Sequence, residues 1–265
     1  MGVFDSTSNL TVPEQVQAGL WPGAMTWSKF GVGLVTTAWS TVYSAGSDPG
    51  LYNWDELDLN PRKVAIASTD PDDTLLGTGA KFIYIEGTGI DHSISSETIE
   101  LNGQTPVESV YEYNSIYRME NTSDQDLQGQ CYTGAFDAVW VGGEPDVVIG
   151  HINDGYNQSQ MVLYRVPAGF RLMVYRVTIT SKNKEGEAGF YIRSNGHKEG
   201  VPKTVFANKV PYMLSGGPIP VDVQRLPFTI MHGFDIELRA KSDLSTMLIA
   251  CNLTGVLMPE HYFPR

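Results

Sequence analysis

The sequence predicts an all-β protein: two β-sandwich, jelly-roll-like units behind an irregular aromatic N-terminal arm. Three observations carry that expectation. Only 18% of the 265 residues are charged while Gly, Pro and aromatic residues are plentiful, a balance that suits short strands and tight turns better than solvated amphipathic helices. From residue 63 onward apolar and polar residues alternate with a period of two, which sorts successive side chains onto opposite faces. Turn signals then recur about every ten residues, the spacing of antiparallel sandwiches.

Residues 1–62 are expected to form the arm. They hold Trp21, Trp27, Trp39 and Trp54, interrupted by Pro22-Gly23, Gly31, Gly33 and Asp48-Pro49-Gly50. A short helix fits at 13–18, with Pro13 suited to its first position and Gly19 to its end. Elsewhere no window has a period of 3.6 residues. Large aromatics outside a periodic element gain most by burial, either against the following domain or against a neighbouring subunit. Trp21, Trp27, Phe30, Trp39 and Trp54 are the candidate interface residues.

The first sandwich unit is assigned to 63–142. Strands are expected at 63–68, 81–86 and 95–101, where Asn102-Gly103 tolerates the positive φ of a type I′ turn and predicts a hairpin into 104–111. Further strands are expected at 115–119 and 136–141. Gly142-Gly143-Glu144-Pro145-Asp146 places four turn-forming residues in five and marks a boundary. The second unit, 143–265, is expected to hold strands at 147–152, 159–166, 170–181, 188–194, 218–223, 234–239 and 247–257. Within 170–181, Leu172, Val174, Val177 and Ile179 are expected to face inward, with one slip of parity that calls for a bulge.

Composition excludes several function classes. The net charge of −12 and pI near 4.8 oppose DNA phosphates, so no nucleic-acid partner is expected. The apolar runs are too short to span a bilayer, so no membrane association is expected. The first twenty residues lack both a basic and an apolar signal region, which places folding in a cytoplasm. Cys131 and Cys251 show no metal-ligand pattern and read as reduced thiols.

Chemical motifs have bland readings. His92, His151, His197, His232 and His261 are scattered without HxH or HExxH spacing, so no metal site is expected. Asp70, Asp72 and Asp73 lack the glycine and glutamate of an EF-hand loop and read as a solvated turn. Gly77-Thr78-Gly79 precedes a strand rather than a helix and offers no phosphate cradle. Glu97 and Glu100 are separated by an odd number of residues and project to opposite faces of a strand, which opposes acid/base partnership. No GxSxG elbow or local nucleophile set occurs, so no catalytic residue and no cofactor are assigned. In a bacterial product the Met1-Gly2 acylation pattern and the sequons at Asn9, Asn121, Asn157 and Asn252 are chance matches. Tyr111, Tyr113 and Tyr117 read as a packed sheet face, with a sugar-stacking row as the alternative.

Several blocks resemble the virion structural proteins of tailed bacteriophages. They are Gly19-Leu20-Trp21-Pro22-Gly23-Ala24 with Lys29-Phe30-Gly31 and Gly50-Leu51-Tyr52-Asn53-Trp54, then Asp72-Asp73-Thr74, Gly77-Thr78-Gly79-Ala80 and Ile85-Glu86-Gly87. The run from Ser96 through Asn102-Gly103-Gln104 to Val107 is the most specific. Asn157-Gln158-Ser159-Gln160-Met161 and Tyr164-Arg165-Val166-Pro167-Ala168-Gly169 extend the likeness over nearly the whole chain. The resemblance implies a particle component without known catalytic residues. The leading reading is a capsid decoration or cement protein that contacts the major capsid protein and itself, a trimer favoured over a dimer because it matches local three-fold positions. It would be assembled in the host bacterial cytoplasm and reside in the virion. A tail or fibre-base component that binds a host-surface glycan is the alternative. This chain departs from the group at Lys81, where many relatives carry arginine, and at Gly89-Ile90-Asp91-His92, which is unlike the usual Asp/Asn-rich turn.

Overall fold

A computed structural model describes residues 10–43, 51, 52, 54, 61–136, 138–194, 207–222 and 228–263. Met1-Gly2, Asn9, Asp48-Pro49-Gly50 and His197 lie outside the described residues. Among those described the chain is all-β apart from helix α1 (Val12–Gln17) and a 3-10 turn at Glu260–Tyr262. The helix starts where expected: Pro13 lies in its first turn and the Thr11 N–H donates to the Glu14 carboxylate at 2.6 Å, half of a capping box. It ends before Gly19, whose φ of +73° favours glycine.

Strand β1 (Met25–Val35) corrects the expectation of an irregular arm. It pairs antiparallel with the last strand of the chain over its full length. Its inward positions are Trp27, Lys29, Gly31, Gly33 and Val35, so a lysine and two glycines hide the apolar alternation from a sequence reading. Both glycines are required by packing. A Cβ at Gly31 would lie 2.3 Å from Val162 Cγ2, and one at Gly33 would lie 3.0 Å from the Tyr43 carbonyl. Strand β2 (Ser40–Thr41) follows.

The first sheet contains β3 (Arg62–Ser68), β4 (Phe82–Gly89), β5 (Ile94–Glu100), β6 (Val107–Asn121) and β7 (Cys131–Ala135). Strands β8 (Trp140–Val141) and β9 (Glu144–Pro145) make a small ladder of their own, and β10 (Val148–Ile152) completes the sheet in the order β10-β7-β3-β6-β4-β5. The sequence boundary at 143 therefore does not coincide with a change of sheet. Strand β6 pairs with β3 through its first half and with β4 through its second, which curls the sheet around Ile66, Ile83, Ile85, Met119, Ile149 and Ile152. The curl brings β10 so close to β6 that a Cβ at Gly150 would lie 2.7 Å from Met119 Sδ.

The expected hairpin after β5 is not formed. Asn102-Gly103 does turn, with Gly103 at φ +58°. However, the Gly103 N–H donates to the Asp73 carbonyl at 2.8 Å and its own carbonyl accepts from Ser68 N–H at 2.9 Å. Those bonds direct β6 to the far side of β4, so β4 separates β5 from β6.

The second sheet is built on β12 (Phe170–Ser194), one long strand where two were expected, with β11 (Leu163–Arg165), β13 (Ala207–Asp222), β14 (Phe228–Ile230), β15 (Phe234–Ser242) and β16 (Met247–Pro259). Its main order is β1-β16-β12-β15-β11, with β13 and β14 on β12 and β2 on β15. β15 and β16 run end to end along β12. Leu172, Val174, Val177 and Ile179 are fully buried, and the register shifts between Val174 and Arg176, the bulge that the parity slip requires. Inward residues from β1, β11, β12, β15 and β16 form a single buried cluster. On the outer face, α1 and Trp21 cover Val256 and Met258 at one end of β16.

Candidate functional site

The structure puts the five interface candidates in different surroundings. Trp27 and Trp54 are 7% and 6% exposed and pack within the chain's own cores, which leaves them little area to offer a partner. Trp21 is half-buried; its indole donates to Gln15 Oε1 at 3.0 Å and its ring meets Tyr262 edge-on. Trp39 is half-buried against Tyr191, with the Lys241 ammonium 5.2 Å from its ring centre. Phe30 is 44% exposed on the outer face of β1, where Leu34 lies directly across from Leu248, and those two are 45% and 39% exposed. These three apolar side chains make one outward stripe. Of the tyrosine row, Tyr113 and Tyr117 are buried and Tyr111 faces solvent.

Two buried polar clusters escaped the sequence reading. Asp73 is fully buried, and its carboxylate accepts from the backbone N–H groups of Ala80 at 2.8 Å, Gln128 at 3.0 Å and Gly129 at 3.2 Å, and from the Ser68 hydroxyl at 2.5 Å. A Cβ at Gly79 would strike its Oδ1. The loop is solvated at Pro71, Asp72, Leu75, Leu76 and Thr78, as expected, while Asp73 alone turns inward into a cage of donors from Ser68, Ala80, Gln128 and Gly129.

The second cluster joins the two sheets. Asp235 accepts from Arg165 Nε at 2.7 Å and Arg193 Nε at 3.0 Å, and Arg165 Nη1 donates to the Asn114 carbonyl of β6 at 3.0 Å. Glu237 accepts from the Thr41 hydroxyl at 2.9 Å, from Trp54 Nε1 at 3.2 Å and from Arg239. Burial raises the Glu237 carboxyl above its usual range, opposed by the Arg239 charge. The alternation Asp235-Ile236-Glu237-Leu238-Arg239 reads as a half-solvated strand, yet both of its faces are covered. The Gly89 to His92 turn also meets the second unit: His92 has φ +60°, and its carbonyl accepts from Ala168 N–H at 2.8 Å.

Between the sheets runs a groove of about 480 Å³, within the range of about 300–1,000 Å³ common for ligand sites. Six consecutive residues of β1, from Met25 to Phe30, form one wall, and Glu86, Ile94 and the Tyr117-Arg118-Met119 stretch of β6 face them. Consecutive residues point to opposite sides of a strand, so the groove lies along the edge of β1 rather than over one face. Lys29 crosses it, donating to the Tyr117 carbonyl at 2.6 Å and lying 4.6 Å from the Tyr117 ring centre. Burial pushes the Lys29 ammonium down to about 7; Glu86 pulls it back up and Arg118 pushes it further down.

No family model matches the sequence, and no curated protein matches it. Among solved structures, that of the infectious bursal disease virus Gx strain is 10% identical, with 91% of this chain and 73% of that chain covered, at a TM-score of 0.26. The T13 particle of the same virus gives 11%, 91%, 69% and 0.27, and its VP2 subviral particle gives 11%, 91%, 73% and 0.25. At these scores the likeness establishes neither a shared fold nor a shared role.

Proposed function

We propose that this chain is a non-catalytic structural component of a tailed-phage particle. In this reading it is a decoration or cement protein that stabilises the capsid by burying surface against the major capsid protein and against its own copies, as a trimer. It is made in the bacterial cytoplasm and acts in the virion without cofactor, nucleic-acid or membrane partner. One observation supports the reading above the rest: the blocks that resemble phage virion proteins are spent on the frame. Asp73, Gly79 and Gly103 form the cage and the turn tied to it, and the Tyr164 to Gly169 block supplies Arg165 and the turn that meets His92. Contact with partners then falls to outward apolar side chains such as Phe30, Leu34 and Leu248, which gain by burial in an interface.

The test is quantitative mass spectrometry of virions separated into heads and tails. A copy number comparable to that of the major capsid protein, retained on tailless heads, is the expected result. A few copies travelling with tails would contradict the decoration role and favour host-glycan binding.

A further inference from the structure

We propose that Lys29 is a covalent attachment site for a small aldehyde, which enters the groove between the sheets and condenses with the Lys29 amine to an imine. The inference is independent of the particle role.

Three features carry it. First, Lys29 is interior but reachable: it is half-buried on β1 and lines the groove of about 480 Å³. The rim is apolar, with Met25 40%, Phe30 44% and Ile94 40% exposed, and suits the hydrocarbon part of a small carbonyl compound. Second, Lys29 has no carboxylate against it. Lys63, Lys81 and Lys241 are ion-paired with Glu108, Asp124 and Glu187, and Arg118 in the groove is ion-paired with Glu120. The Lys29 ammonium instead donates to the Tyr117 carbonyl at 2.6 Å and lies 4.6 Å and 5.6 Å from the ring centres of Tyr117 and Tyr164. Third, these surroundings match the product better than the resting group. An ammonium carries three N–H donors and meets one acceptor here among the described residues. A protonated imine carries one N–H, which the same carbonyl accepts, and keeps the positive charge that the ring faces favour.

Desolvation supplies the reactive form. With the Lys29 ammonium held at about 7, about half of the molecules carry the neutral amine at neutral pH, against fewer than roughly one in a thousand for an ordinary lysine. Burial of this kind is how a lysine becomes a nucleophile toward carbonyl groups. The neutral nitrogen bonds to the carbonyl carbon as the C=O electron pair moves to oxygen, and one nitrogen proton passes through solvent to that oxygen. The C–O bond of the resulting carbinolamine then breaks, the oxygen leaves as water with the second nitrogen proton, and the C=N bond forms.

The probe is propanal with sodium cyanoborohydride, which reduces the imine to a stable secondary amine, applied to the full-length chain at neutral pH and stopped at low occupancy. Fragment masses are expected to place the propyl group on Lys29 at least about ten-fold faster than on Lys63, Lys81 or Lys241. The ratio of the Lys29 rate to the Lys63 rate should fall as pH rises above about 7, where Lys29 is already neutral. The groups facing Lys29 are Glu86, Arg118, Tyr117 and Tyr164, and burial holds both tyrosines neutral through that range. Glu86→Gln removes the charge that pulls the Lys29 ammonium up, so it should raise the ratio at pH 6. In urea the preference for Lys29 should vanish. The site is read from the natural chain, so the outcome does not depend on whether a variant folds. Equal labelling of Lys29 and Lys63 in the folded chain, no label on Lys29, or a preference that survives unfolding would overturn the proposal.

Discussion

Strands β5 and β1 each end a sheet, and they end it in opposite ways. Apart from Ile94 and the buried Ile99, β5 is polar, with Ser95, Ser96, Glu97, Thr98 and Glu100, and the Glu97 carboxylate caps backbone donors of the neighbouring β6. Glu97 accepts from Val110 N–H at 2.8 Å, Tyr111 N–H at 3.1 Å and the Tyr113 hydroxyl at 3.0 Å. Charge and solvation of this kind blunt an edge against further pairing. β1 carries a single charged side chain, Lys29, among Met25, Trp27, Phe30, Val32 and Leu34, and its open side faces a groove instead of bulk water. One edge is closed by chemistry; the other is kept apolar, shaped and unpaired.

The largest effect that separates them is steric. Gly31→Val should cost about 3 kcal/mol in urea unfolding, because the new side chain strikes Val162 in a packed interior. Thr98→Val on β5 should change stability by less than about 0.5 kcal/mol. Equal costs would erase the contrast between a strand clamped on its inner face and a solvated one. Glu97→Ala comes next, at about 1–2 kcal/mol, since two backbone donors of β6 lose their acceptor; it should also make that stretch of β6 beside β5 adhesive, seen as concentration-dependent association in sedimentation.

A smaller, pH-dependent effect belongs to Lys29. Its folded pKa lies near 7 and its unfolded value near 10.5, so the folded state binds the proton more weakly and stability is lost as pH falls from 10.5 through 7. Lys29→Met should therefore gain more at pH 6 than at pH 11, measured as the shift in urea midpoint. The smallest effect is Leu34→Lys on the outer face, within about 0.5 kcal/mol of the natural chain. Under the particle reading it should still reduce retention on heads.

Where the sequence was legible, a local rule sufficed. Pro13 and Gly19 bound the helix, and the alternation through Leu172, Val174, Val177 and Ile179 located both a buried face and its bulge. Asn102-Gly103 marks the other limit: a turn residue fixes a reversal of direction, but the partner strand is chosen by the Asp73 loop that grips Gly103. The strand character of 25–35 was concealed by Gly31 and Gly33, placed there for close approach to Val162 and Tyr43. Asp73 and the Asp235–Glu237 pair look solvated in sequence because their charge is visible while their donors come from residues up to 196 positions away. The groove was illegible for a related reason. It depends on which strand ends a sheet, and that follows from the pairing of the whole chain rather than from any window.

The most direct test of an open β1 edge is residue-resolved amide hydrogen exchange on the free chain. The account predicts alternation across residues 25–30: amides directed at β16 exchange slowly, and those directed into the groove exchange orders of magnitude faster, near the rate of solvent-facing amides in β5. Uniform slow exchange along the whole stretch would mean that the edge already has a partner, and would contradict the account.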